Sequence, residues 1–370
     1  MRCFRPAIGC GVPEPAQKRP VALLCGYYGE HNLGDDALLD SLLRQLPTSV
    51  APLVTAHDEA EVQQRFGVAT VPRRRLKRVL AALRTSDALV LGGGSLLQDS
   101  TSFRSLLYYA ALIVAARLQG KPVLLWAQGL GPLKRRRSRV LVRALLPLAT
   151  AISWRDPESD QLARRLGASA CHGTDAVWAL EPQPWIGGGG PIVVCWRPSA
   201  LLQGDAWRPY LEALEQLAEQ HNREVLWLPF HRGQDAGLLD QLVAQGLVGE
   251  ALQRRSRELI ATRPREAMAV FRSAGLVVAM RLHALILAAL SGSPTSALSY
   301  DPKVRACATQ FGCSCRDLAE PWTSAADLLS TWQEALDQPA VSGAIADMRR
   351  ATAVHRQLLE QLHNLGGQPR

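Results

Sequence analysis

The chain has 370 residues, 47% of them hydrophobic and 20% charged, with a net charge of +9. No uninterrupted apolar run reaches the ~20 residues that cross a bilayer, and the chain is too long for one small core, so two domains are expected. The positive balance points to an acidic partner: a phosphorylated small molecule, an anionic membrane face or nucleic acid.

The eight cysteines are scattered, with only Cys313 and Cys315 close in sequence, and no spacing suits a zinc site. Free thiols in a reducing cytosol are the expected state. Met1 to Pro20 has prolines, glycines and basic residues but no apolar core, so residues 1–20 read as a disordered tail rather than a secretion signal.

Val21 to Cys25 is predicted to be a buried strand, followed by a loop with Gly26 and Gly29 and a helix from Ala37 to Leu46. Glycines there let the backbone approach a ligand, and a helix N-terminus favours an anion. Asp35 and Asp36 suit either helix capping or ligand contact, and Asn32 a turn. Residues 51–72 carry no clear pattern. Arg73 to Arg78 is a dense basic run that reads as a solvated helix face. Asp87 to Leu91 is a strand, and Gly92-Gly93-Gly94 with Ser95 as an N-cap forms a second anion cradle, without the lysine of a P-loop.

Ser105 to Leu118 is a helix and Val123 to Ala127 a strand, with Gln128-Gly-Leu-Gly-Pro132 as its loop. A second basic run, Lys134 to Arg139, opens the next helix. Both basic runs lack interleaved aromatics and fit a phosphate-rich or membrane face better than base readout. Ala149 to Ser153 is a strand, and Arg155 stands at its exit. Asp175 is expected to bond nearby backbone.

The Gly187–Gly190 run between prolines marks residues 181–191 as a linker. It separates an N-terminal α/β domain, 21–180, from a C-terminal one, 192–336, with helices over 337–370. In the second half Ile192 to Trp196 is a strand ending at Arg197, and Glu224 to Pro229 another, followed by His231. Leu276 to Ala279 is a buried strand and Ala284 to Leu290 a helix, with Arg281, Leu282 and His283 at their junction. Ser293 to Ser299 is a strand whose exit loop carries Lys303, and helices are predicted over Ala325–Leu336 and Val341–Leu365.

Alternating strand and helix means parallel sheets with helices on both faces. Two such Rossmann-like domains face their strand ends across a cleft. Arg155, Arg197, Arg281, His231, His283 and Lys303 all fall at those ends. Together they suit a small ligand with two anionic groups. No pattern suggests a metal, glycoside hydrolysis or an acyl-transfer serine.

Gly26-Tyr-Tyr-Gly29 with Asn32 and Gly34-Asp35, Leu91-Gly-Gly-Gly94, Ala127-Gln-Gly-Leu-Gly-Pro132, Ser153-Trp-Arg-Asp156, Met280-Arg-Leu-His-Ala284 and Ser299-Tyr-Asp-Pro-Lys303 occur in this order. The set resembles the polysaccharide pyruvyl transferase family, specifically the CsaB type, across about residues 20 to 335. Trp154 stands where the family has a small aliphatic residue. The resemblance implies a fold similar to GT-B and transfer of the pyruvyl group of phosphoenolpyruvate to two sugar hydroxyls, with no cofactor or metal. It implies a glycan or polyprenyl-diphosphate-linked acceptor on the N-terminal side and the donor on the C-terminal side. The protein would be cytoplasmic and peripheral at the inner membrane face.

His283 is the expected acid/base catalyst. Arg155, Arg281, Leu282, Lys303 and Arg197 are the expected donor-binding residues. Gly26, Asn32, Asp35, Gly93, Gly94, Gln128 and His231 are candidates for the acceptor side or the cleft. Two rivals stay open: a nucleotide-sugar glycosyltransferase, with Glu266 as an imperfect ribose ligand, and a non-catalytic protein that binds anions or a membrane surface.

Overall fold

A computed structural model describes residues 19–100, 102–320 and 324–366. All but the last two residues of the expected tail, and with them Cys3 and Cys10, lie outside the described residues.

The first half contains β1 (Val21–Tyr28), α1 (Leu33–Gln45), β2 (Ala51–Ala56), α2 (Glu59–Phe66), β3 (Ala69–Pro72), α3 (Leu76–Thr85) and β4 (Ala88–Gly92). It continues with α4 (Phe103–Leu118), β5 (Val123–Gln128), α5 (Arg136–Leu145), β6 (Ala151–Trp154), α6 (Pro157–Arg165) and β7 (Cys171–His172). These strands form one sheet in the order β3-β2-β1-β4-β5-β6-β7, with every pair parallel.

The second half contains β8 (Ile192–Cys195), α7 (Arg208–Gln220), β9 (Val225–Trp227), α8 (Arg232–Asp235), α9 (Leu238–Ala244), α10 (Glu250–Arg255) and β10 (Ser256–Glu258). It goes on through α11 (Pro264–Arg272), β11 (Leu276–Ala279), α12 (Leu282–Leu290), β12 (Thr295–Ser299), α13 (Pro302–Phe311), β13 (Ser314–Asp317) and α14 (Ala325–Ala335). Its sheet, β10-β9-β8-β11-β12-β13, is also parallel throughout. Each sheet reverses its strand order once, between β1 and β4 and between β8 and β11, and crevices open at such points.

The chain then returns to the first sheet through α15 (Ser342–Ala351) and α16 (Ala353–Glu360), the latter packed on β5 and β6. Buried His355 anchors it: one ring nitrogen lies 2.8 Å from Ser153 Oγ and the other 2.7 Å from the Thr174 carbonyl. The helical stretch predicted over 341–365 divides near Thr352, whose hydroxyl donates to the Arg349 carbonyl and ends α15.

One apolar cluster runs through both halves, because the inner faces of α1 and α12 pack on each other. The backbone joins them too: Leu33 N–H donates to the Phe230 carbonyl and Arg232 N–H to the His31 carbonyl, both at 2.9 Å.

Three local expectations are corrected. The Gly26 loop is strand: β1 runs on to Tyr28, whose ring packs against Gly26 and whose hydroxyl donates to the Gly92 carbonyl at 2.5 Å. Ser95 starts no helix, since α4 begins at Phe103 under a Ser102 cap. The Tyr300–Val304 exit loop is already helical from Pro302, with Asp301 as cap. No helix among the described residues is long and apolar enough to cross a membrane.

Candidate active site

The centre of the site is a loop-to-helix meeting point at the carboxyl ends of β4, β5, β6 and β12. Ser95, just after β4, accepts from Arg155 Nη2 at 3.1 Å and from Lys303 Nζ at 2.9 Å. Two cations from opposite halves of the chain therefore converge on one hydroxyl. Arg155 is buried, and its other nitrogens reach Asp156 at 3.2 Å and Asp175 at 3.4 Å. Burial and the nearby Arg155 guanidinium push the Lys303 ammonium down to about 8.

Asp175 ties the cations to the imidazole. Its Oδ2 lies 3.4 Å from both Arg155 Nη1 and His283 Nε2, while Oδ1 accepts the Val177 N–H at 3.0 Å. Burial pushes the Asp175 carboxyl up, but His283, Arg155 and the Val177 N–H outweigh it and hold the group well below the usual carboxylate range. Asp175 therefore stays anionic beside the Arg155 guanidinium.

A cavity of about 310 Å³ opens on this cluster. Arg155 and Lys303 give it positive charge, Asp156, Glu158, Asp175 and Asp301 give it negative charge, and Leu282, Trp178 and Ile286 give it apolar wall. His283, in the first turn of α12, meets the lining carboxylate Asp175 through Nε2 and keeps 16% of its side chain exposed. Two glycines make the approach possible. A Cβ on Gly129 would lie 2.5 Å from Ser95 Oγ and 2.8 Å from Arg155 Nε, and one on Gly34 would collide with His283 Nδ1. Both positions need Gly for space rather than for φ.

The remaining expected residues divide. Asp35 stands near His283 and Arg155, and burial pushes its carboxyl up to about 6. Asn32 caps α1: its Oδ1 accepts the Gly34 N–H and its Nδ2 donates to Asp35. Gly93 and Gly94 are the positive-φ residues that lead to Ser95. Gln128 lies wholly buried beneath them and donates to the Leu91 and Gly93 carbonyls at 3.0 Å, so it shapes the loop from behind. Gly26 sits within β1 against the Tyr28 ring.

Arg281 and Arg197 do not line the cavity. Arg281 grips Asp235 through Nε, at 3.0 Å, and Nη2. That carboxylate also accepts the Phe230 and His231 N–H groups. Arg197 lies over the Tyr300 ring, 4.9 Å from its centroid, and bonds its hydroxyl. His231 belongs to the Asp235 cluster, where burial and Arg281 push its imidazole below the ordinary value. Trp154 is buried in the core beneath β6, which accommodates the large side chain before Arg155.

Glu266 accepts from the Thr262 N–H and hydroxyl and the Arg263 N–H, as the cap of α11. Among the described residues, His31, Asp58 and Glu61 alone group three metal-ligating side chains. Arg65 already occupies one oxygen of Glu61 there.

The sequence matches the family described as Polysaccharide pyruvyl transferase over residues 32–302, most of its length. No curated protein matches it. Among solved structures, a putative UDP-N-acetylglucosamine 2-epimerase from Listeria monocytogenes is similar at a TM-score of 0.61 and 13% identity, covering 94% of this chain and 96% of that one. Anabaena HepE in complex with UDP-glucose gives 0.58 and 11%, covering 93% and 99%. MurG of Acinetobacter baumannii gives 0.52 and 15%, covering 93% and 100%. At such identities the likeness shows the fold: two parallel-sheet α/β domains of the GT-B kind.

Proposed function

The chain belongs to the polysaccharide pyruvyl transferase family, and on that premise we propose that it moves the pyruvyl group of phosphoenolpyruvate onto two hydroxyls of a cell-surface glycan or its lipid-linked precursor, in the manner of the CsaB type. The observation that carries the donor assignment is that Arg155 and Lys303, which both donate to Ser95, line one cavity. Phosphoenolpyruvate bears a carboxylate and a phosphate. Two cations of different geometry, a guanidinium fork and a compact ammonium, suit that pair.

The chemistry begins with a proton on the methylene carbon, which gives the carbon bearing the phosphate ester oxocarbenium character. A sugar hydroxyl adds there and loses its proton. The carbon–oxygen bond to phosphate then breaks, a second hydroxyl adds, and its proton leaves to close the cyclic ketal. His283 is the proposed acid and base for these transfers. Such a group contributes on the order of 10²–10⁴-fold. Asp175 orients the imidazole, and its anionic charge offsets the imidazolium. Arg155 and Lys303 hold donor anions and stabilise the departing phosphate.

Phosphate release from phosphoenolpyruvate with a panel of glycosyl diphosphate lipids tests this reading. Release should need both an acceptor and His283. No release with any acceptor, together with a rise in melting temperature from UDP and none from phosphoenolpyruvate, would replace it with nucleotide-sugar transfer.

A further inference from the structure

α4 is apolar on nearly every side, including the side that faces water. Leu107, Ala111, Val114 and Leu118 recur at helical spacing along its outer stripe, with Arg104 at the head. Leu107 and Val114 are exposed, and Leu118 is 83% exposed. A surface helix normally turns a polar face outward. This one does the reverse, and it packs between α3 and α5.

The flanking helices supply the charge. Arg75, Lys77 and Arg78 lie at the start of α3, and Arg136, Arg137 and Arg143 lie on α5, all exposed. None has a carboxylate partner among the described residues, whereas Arg73 and Arg74 of the same basic run pair with Glu30. Asp99, buried beside the start of α5, accepts the backbone N–H groups of Lys134 and Arg135. On α5, Arg136, Val140 and Arg143 share one outward stripe, and Val140 is 62% exposed. No acidic residue stands in the first turn of α3, α4 or α5. Cations there oppose the helix dipole, so the arrangement costs some helix stability and favours an external anion.

We propose that the α3–α4–α5 face docks on a bilayer leaflet that carries acidic lipids, with the α4 stripe entering the interfacial region and the flanking Arg and Lys on the headgroups. Charge decides the occupant. A second copy in a two-fold interface would set this basic face against itself. Nucleic acid would satisfy the cations but leave the aliphatic stripe without a role. All three helices start at the carboxyl edge of the first sheet, the edge that carries Ser95 and Arg155, so docking here keeps the cavity close to the leaflet. The proposal stands on this surface alone and holds whatever reaction the cavity performs.

Co-sedimentation of the full chain with phosphatidylcholine vesicles, with and without phosphatidylglycerol, tests it. Binding should require phosphatidylglycerol and fall with salt. Arg136→Gln with Arg143→Gln should weaken it by about 25-fold, at about fivefold for each lost basic residue. Val114→Ser with Leu118→Ser should weaken it at unchanged charge. All four positions are exposed, and an unchanged melting temperature would verify folding. Absence of binding to phosphatidylglycerol vesicles, equal binding to neutral ones, or indifference to both double variants would overturn the proposal. So would a dimer in sedimentation velocity that Leu118→Ser dissolves, or duplex DNA binding that the serine variants leave intact while vesicles do not bind.

Discussion

The molecule builds an arginine–carboxylate–histidine cluster twice, and the two differ in whether the carboxylate is already satisfied. Asp235 has no exposed side-chain surface, takes both arms of Arg281 and accepts two backbone N–H groups. Nothing is left over for a ligand. Asp175 instead holds Arg155 and His283 at 3.4 Å each, Arg155 also reaches Asp156 and Ser95, Lys303 rests on the same serine hydroxyl, and a cavity opens beside them. Arg281 and His283 are two residues apart in sequence, yet one belongs to each cluster. An arginine becomes a structural strut when its carboxylate is saturated, and it stays available to an anion when that carboxylate is shared and loosely held.

The sharpest way to break this contrast is to remove one residue from each cluster. His283→Ala should lower kcat by about 10²–10⁴-fold while the melting temperature stays near wild type. Arg281→Met should do the opposite. It strands the buried Asp235 charge, so denaturant unfolding should report a loss of about 3–5 kcal/mol, with kcat nearly unchanged at low temperature. Equal kinetic damage from both would erase the distinction.

A milder perturbation acts through space. Gly129→Ala places a methyl group against Ser95 and Arg155, and kcat/KM should fall by up to about 10²-fold, the worth of a displacement of roughly 1 Å at a positioning group. An unaffected kcat/KM would mean that Arg155 need not hold this position.

The smallest effect is a pH limb. Lys303 has its ammonium pushed down to about 8 by burial and Arg155. It is charged below that pH and neutral above it, so kcat/KM for the anionic donor should fall as pH rises through about 8. Lys303→Arg should move that limb out of range. A limb that survives in the arginine variant would belong to another group.

Much of the site was legible because cations at strand ends are conspicuous. Arg155, His283 and Lys303 stand out where apolar strands stop. Asp175 was legible only as a group that bonds nearby backbone, which it does through Val177. Its tie to His283 joins residues more than a hundred positions apart, and no local pattern carries that. Arg281 shows the same limit, since a triplet cannot reveal that Asp235 waits across the loop.

In the fold, the central strands are fully buried apolar runs and read clearly. β2, β3 and β13 are half-exposed, and carry Pro52 or Pro72 or a polar run. Their periodicity is therefore weak. The start of α13 had a usable signal, Asp301 before Pro302. The return of α16 to the first sheet had none, because it rests on contacts of His355 with distant loops.

Titration calorimetry of phosphoenolpyruvate into wild type, Arg155→Met, Lys303→Met and Arg197→Met tests the central claim most directly. Removing Arg155 or Lys303 should each weaken binding by about 10–100-fold, the worth of a hydrogen bond to a charged group, and removing Arg197 should leave it unchanged. Donor binding that is lost with Arg197 but indifferent to Arg155 and Lys303 would contradict the account and move the donor site away from the Asp175 cavity.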